Sequence, residues 1–286
     1  MKSKILSLLF IFLLSTTICA FGGKVKSLDG VDIAYSVYGN GETTLLFVHG
    51  WGWDQSLWKE QVSKFSSSHK VVTIDLAGHG LSGNKRKSYT IKAFSDDVIA
   101  VINKLKLTKV ILVGHSMAGI VNLEVYRQAK EKIVGLIGAD TYQLFQQGEN
   151  PKAAEDYLTT FKENYLASVR EYVRTLFLDG TDTTFIENIV KRMQKLPPKT
   201  GMDIFRNIYQ YNSLKAATEL QPLIITVNGQ KFRVKEAENI KLLPGFTAKY
   251  IPGTGHFPML EKPERFNELL LEAIIEISKD RSETRH

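Results

Sequence analysis

The stretch Lys109-Val110-Ile111-Leu112-Val113-Gly114-His115-Ser116-Met117-Ala118-Gly119 decides the fold. After the lysine, its next four residues are apolar and mostly β-branched, as in a buried strand. Beyond Gly119, Ile120, Leu123, Val125 and Tyr126 fall at helical spacing. A serine pinched between small residues at a strand-to-helix junction matches the nucleophile-elbow pattern, G-x-S-x-G, with Ala118 in place of the second glycine. The reason for the small residues is steric, because a tight turn brings neighbouring backbone against the serine. Such a turn lifts the Ser116 hydroxyl clear of the strand ends. It also leaves the Met117 amide at a helix N-terminus, where it can stabilise an oxyanion. The simpler alternative is an ordinary junction whose serine caps the helix.

Outward from this stretch the same rhythm repeats. Leu45–Val48, Val71–Ile74 and Ile133–Ala139 are continuous apolar runs, the mark of strands covered on both faces. Val31–Tyr38 alternates as a half-buried strand does, and ends at Gly39-Asn40-Gly41. Asp54 is placed to cap a helix through Trp58 and Val62 towards Phe65, and Ile91–Leu105 predicts another. From 141 to 220 the strand signal stops. Pro151 predicts a helix running to about Leu178, with two shorter ones near 182–195 and 201–214 about Pro197-Pro198. Strands return at Pro222–Val227 and Phe246–Ile251, and Pro263 opens a closing helix through Ile274, with a fraying polar tail from Ser278. The expected class is α/β: a doubly wound, mostly parallel sheet in two parts, 21–140 and 221–286, with a helical cap at 141–220.

Residues 1–20 read as a secretory signal peptide. Lys2 and Lys4 precede a short apolar region and small residues lead to Cys19-Ala20, near which cleavage is expected. A lipid anchor on Cys19 is disfavoured by the preceding Thr17-Ile18. Removing this segment takes the net charge from +7 to +5 and removes the chain's one cysteine. An exported protein without disulfide, thiol nucleophile or cysteine metal site is expected, periplasmic or extracellular. The triplet Lys85-Arg86-Lys87 reads as a solvated loop rather than a nucleic-acid patch, and no membrane attachment is expected after cleavage.

A serine hydroxyl needs a base to take its proton. Of the histidines, His256 is the best candidate, in the glycine-rich segment Pro252-Gly253-Thr254-Gly255-His256-Phe257-Pro258 between the last strand and helix. With this loop, His49-Gly50-Trp51 and Asp75-Leu76-Ala77-Gly78-His79-Gly80-Leu81-Ser82 in the same order as the elbow, the chain resembles the α/β-hydrolases. That resemblance implies Ser116 as nucleophile, His256 as general base and the amides of Trp51 and Met117 as the oxyanion hole. His49, His79 and His115 read as loop-shaping residues. The family's acid usually follows the seventh strand, yet Val227-Asn228-Gly229-Gln230-Lys231 offers no carboxylate there, and Lys231 stands about where it belongs. Some relatives carry the acid after the sixth strand, which points to Asp140. Glu236 or Glu238 is the alternative, or no acid at all.

Serine at the elbow implies acyl transfer without metal or organic cofactor, most economically hydrolysis of small carboxylic esters, with a small-molecule acyl substrate. An iminopeptidase-type peptidase, a carbon–carbon bond hydrolase and a mainly non-catalytic ligand-binding relative share the same motifs.

Overall fold

Val110–His115 is buried along its whole length in the computed structural model, which describes residues 21–148 and 151–283. The expected signal peptide at 1–20, with Cys19, lies outside the described residues. The strands are β1 (Phe21–Lys26), β2 (Asp32–Tyr38), β3 (Thr44–Val48), β4 (Lys70–Ile74), β5 (Val110–His115), β6 (Ile133–Ala139), β7 (Ile224–Gly229) and β8 (Thr247–Ile251). They form one sheet in the order β1-β2-β4-β3-β5-β6-β7-β8. The β1–β2 and β2–β4 pairs are antiparallel and the rest are parallel. Parallel neighbours require crossovers that cover the sheet with helices, so the central strands are apolar on both faces. Leu45, Leu46, Phe47 and Val48 of β3 and Ile111, Leu112 and Val113 of β5 are fully buried. Each such side chain contributes about 1.5–3 kcal/mol relative to exposure.

The helices in chain order are α1 (Lys59–Phe65), α2 (Ile91–Lys104), α3 (Ala118–Ala129), α4 (Pro151–Glu163), α5 (Tyr165–Thr175) and α6 (Thr183–Met193). They continue with α7 (Pro198–Gln210), α8 (Ser213–Leu220), α9 (Glu236–Leu242), α10 (Pro258–Glu261) and α11 (Pro263–Glu283). One layer is α2 packed with α3, and the other is α1 packed with α11. The approach of α11 to the sheet is close, since a Cβ on Gly135 of β6 would lie 2.8 Å from Cγ2 of Ile277. Between β6 and β7, α4 to α8 form a helical insertion; among its described residues the regular elements are all helices.

Several local expectations need correction. The single helix from Pro151 breaks at Asn164, whose side chain accepts from the Ala167 amide and starts α5 afresh. The helix expected from 201 begins at Pro198, and Asn212 caps a separate α8 by accepting from the Lys215 amide. Asp54 caps a 3-10 turn, Gln55–Trp58, before α1. β1 and α9 had no clear signal, and the polar tail continues α11 to Glu283. Arg86 is not a solvated residue of its triplet. Its side chain is 2 % exposed and is paired with Asp97 and Asp29, tying the loop after β4 to α2 and the β1–β2 turn.

Candidate active site

Ser116 leaves β5 with φ of 53°, in the left-handed region that side chains other than glycine avoid. The surroundings hold it there. Its amide donates to Ala139 O at 3.2 Å, and its carbonyl accepts from the Gly119 amide and the Thr141 hydroxyl, each at 2.9 Å. A Cβ on Gly119 would sit 2.4 Å from Thr141 Oγ1 and one on Gly114 would sit 2.8 Å from Ala118 O, so the turn closes only over small residues.

Asp140 follows β6, also at positive φ, 45°. It is fully buried. Its amide donates to Val227 O at 3.0 Å, and its Oδ1 accepts from the Gly229 amide at 2.7 Å. Its Oδ2 lies 2.5 Å from His256 Nδ1. A carboxylate there fixes the ring so that Nδ1 carries the hydrogen and Nε2 is free to accept a proton. The end of β7 holds no acid; instead its backbone holds the one that β6 supplies. Asn228, on β7, gives its amide hydrogens to Thr226 Oγ1 and Lys249 O. Lys231 is exposed, so its charge stays in solvent. Glu236 accepts from the Ala248 amide and Glu238 pairs with Lys235, so neither joins His256.

His256 is held by its backbone. Its amide donates to Leu176 O, at the end of α5, and its carbonyl accepts from His115 Nε2, both at 2.9 Å. Glu261 accepts from the flanking Gly255 and Phe257 amides. Burial raises the Glu261 carboxyl above the usual range and the nearby Asp140 adds to this, against the lowering effect of those amides. Neither Glu261 nor the Leu176 carbonyl was singled out from sequence. A carboxylate five residues beyond His256, ahead of the closing helix, is the one local signal.

Ser116, Met117, Asp140 and His256 share the wall of a cleft of about 260 Å³ with Tyr142, Phe145 and Ile208. Among the described residues, Ser116 and His256 make no side-chain hydrogen bond to each other, as is common without substrate. Gly50 seats the Trp51 segment against the elbow, where a Cβ would lie 3.2 Å from Cβ of Ser116. Among the described residues, the amides of Trp51 and Met117 donate to no protein acceptor. The Trp51 indole reaches into the insertion, donating to Gly201 O at 3.1 Å and packing on Phe205 at 4.4 Å between ring centres. A larger cavity, about 600 Å³, borders Asp54, Asp75, His79 and Arg192 but not Ser116, Asp140 or His256.

His49 and His79 have both ring nitrogens engaged locally, while the buried Nδ1 of His115 has no partner among the described residues. His49 bonds the Gly50 carbonyl through Nδ1 and accepts from the Leu76 amide at Nε2. His79 does the same with Ala77 O and the Gly52 amide. Burial lowers His49, pushes His79 down to about 3 with help from His49, and holds His115 well below its ordinary value, helped by His256. His115, 4.7 Å from the His256 ring, therefore adds no competing cation. Among the described residues, no group of three or more histidine, cysteine or acidic side chains is gathered to hold a metal.

The alpha/beta hydrolase family matches residues 45–269. The chain is 29 % identical over 235 residues to a putative esterase/lipase of Haemophilus influenzae, covering 77 % of this chain and 79 % of that one. It is 25 % identical over 256 residues to the dihydrolipoyllysine-residue acetyltransferase component of the acetoin cleaving system of Cupriavidus necator. That match covers 86 % of this chain and 67 % of the longer relative. A solved thermophilic esterase from Thermogutta terrifontis superposes with a TM-score of 0.78 at 24 % identity, covering 90 % of this chain and 99 % of that one.

Proposed function

Because the chain belongs to the alpha/beta hydrolase family, we propose that it is an exported serine hydrolase that cleaves small carboxylic esters. The observation that carries this reading is the 2.5 Å pairing of Asp140 with His256 beside a cleft that Ser116 also lines. The esterase relatives support it at the level of reaction class. Ser116 Oγ attacks the ester carbonyl carbon while His256 Nε2 takes its proton. Asp140 accepts from Nδ1–H and stabilises the imidazolium that results. The carbonyl oxygen, now negative, accepts from the free amides of Trp51 and Met117. Collapse expels the alcohol with the proton from His256 and leaves an acyl-enzyme on Ser116. Water, deprotonated by the same imidazole, then releases the acid.

The size of the cleft favours a short acyl group, and the helical insertion acts as its cap. Residues 1–20 direct export and are then removed.

The test is hydrolysis of nitrophenyl acetate, butyrate and palmitate by the processed protein beside Ser116→Ala, with a fluorophosphonate probe. Short esters turned over faster than palmitate, with probe on Ser116 alone, are expected. An unlabelled, inactive wild type would overturn the assignment. N-terminal sequencing of the protein recovered outside the cytoplasm should begin near Ala20 or Phe21, and a retained Met1 would refute export.

A further inference from the structure

The loop that carries His256 has little intrinsic stiffness. It runs through Gly253 and Gly255, and the amides immediately before and after His256 each need an acceptor from a neighbouring residue. Glu261 supplies both. Its two carboxylate oxygens each lie 2.9 Å from the Gly255 amide, and Oε1 lies 3.2 Å from the Phe257 amide. Gly255 and Phe257 are the residues immediately before and after His256, so one carboxylate straddles the base from behind while Asp140 holds its ring from in front.

The loop has other anchors: the Leu176 carbonyl and the His115 ring at His256, Gln230 at the Gly253 amide and the Thr254 carbonyl, and the Leu260 and Glu261 amides at the Phe257 carbonyl. None of these takes up the Gly255 or Phe257 amide, for which the Glu261 carboxylate is the one acceptor among the described residues. Gly255 can tolerate no side chain, because a Cβ there would lie 2.5 Å from Leu176 O. Stiffness must therefore come from outside the loop. The carboxylate is well placed for this: it sits at the end of α10, four residues past Phe257, and α10 passes directly into α11.

We propose that Glu261 is a positioning residue for the proton-accepting histidine, fixing the backbone on both sides of His256 so that Nε2 meets the nucleophile. The inference rests on the reading of Ser116, His256 and Asp140 given above. Binding of substrate does not pass through Glu261, whereas proton transfer depends on the imidazole's placement, and a misplacement of about 1 Å costs roughly 10²-fold in rate.

The experiment compares the processed wild type with Glu261→Gln, Glu261→Ala and, as an exposed neighbour, Glu264→Gln. Three readings are taken: kcat and KM on a short nitrophenyl ester, the rate of fluorophosphonate labelling of Ser116, and amide hydrogen exchange across 253–257. Glu261→Gln keeps the volume but only one acceptor, and should lower kcat about tenfold, with alanine approaching 10²-fold. KM should stay within about twofold, labelling should slow by the same factor as kcat, and exchange should quicken in that loop alone. Glu264→Gln should match wild type. If the alanine variant does not fold, the isosteric glutamine variant carries the test. A folded Glu261→Gln with wild-type kcat and labelling overturns the role, as does faster exchange across the whole chain. A wild type that is itself unlabelled overturns the Ser116 reading instead.

Discussion

The ends of β5 and β6 are the same device built twice. The strands are neighbours in register, Gly114 opposite Gly138 and His115 opposite Ala139. Each then turns at positive φ into a polar residue, Ser116 on one strand and Asp140 on the other. Both glycines stand two residues before the turn and both are sterically required. A Cβ on Gly114 would lie 2.5 Å from Asn122 Nδ2, and one on Gly138 would lie 2.8 Å from Thr141 Cγ2. The two ends differ in where the chain goes next. After Ser116 it winds straight into α3 and needs Ala118 and Gly119. After Asp140 it leaves the sheet through Thr141 and Tyr142 towards the insertion. A left-handed turn that enters a helix advertises itself in small residues on both sides, whereas one that leaves for a loop advertises only half.

If the two ends form one catalytic unit, removing either group should be severe and unequal. Ser116→Ala should lower kcat by at least about 10⁴-fold and abolish probe labelling, with the protein still folded by circular dichroism. Asp140→Asn, assayed on the same ester, should cost roughly 10³- to 10⁴-fold because the carboxamide cannot hold the imidazolium. Near-normal turnover in that variant would separate the two ends and leave Asp140 as a strand-end cap. Gly119→Ala tests their mechanical contact, since the new methyl would press on Thr141 between them. Urea unfolding should show a loss of about 1–3 kcal/mol. Unchanged stability would mean that Thr141 moves freely.

The end of β5 carries a pH response in His115, alongside those of the likewise lowered His49 and His79. His115 is held neutral in the fold, so below its ordinary value of 6.5 the unfolded chain binds a proton that the native state refuses. Stability is then complete above that pH and declines as pH falls. His115→Gln, which keeps a donor for the His256 carbonyl, should flatten the decline by up to about 1.4 kcal/mol per pH unit. Equal slopes in urea titrations from neutral to mildly acidic pH would contradict this. The smallest effect is at Ser116 itself. Ser116→Gly should be about 1 kcal/mol more stable than Ser116→Ala, since glycine accepts positive φ without a Cβ clash.

The sheet could be read from sequence wherever burial on both faces forced long apolar runs, as in β3, β4, β5 and β6. β1 could not, because Phe21-Gly22-Gly23-Lys24-Val25-Lys26 is an edge strand defined by its pairing with β2. The insertion misled because Asn164 and Asn212 start new helices through side-chain caps that interrupt no hydrophobic spacing. In the site, Ser116 and His256 stood out because their glycine-rich surroundings are local. Asp140 required the family's habit of moving its acid, and the missing carboxylate after β7 drew attention to it. The Leu176 carbonyl and the Gly229 amide were beyond reach, since backbone groups carry no signature of the distant residue they meet.

Among the described residues, two carbonyls of the insertion's helices accept hydrogen bonds from the loops of the site: Leu176 O from the His256 amide, and Gly201 O from the Trp51 indole. They set a rule for exchanging lids among relatives. A transplanted insertion, however well its pocket suits a new ester, must bring a carbonyl to each of these two points. Otherwise the graft delivers a new specificity to a loosened engine. Backbone positions 176 and 201 are thus the natural fixed points of any chimaera, and the variable lengths belong between them.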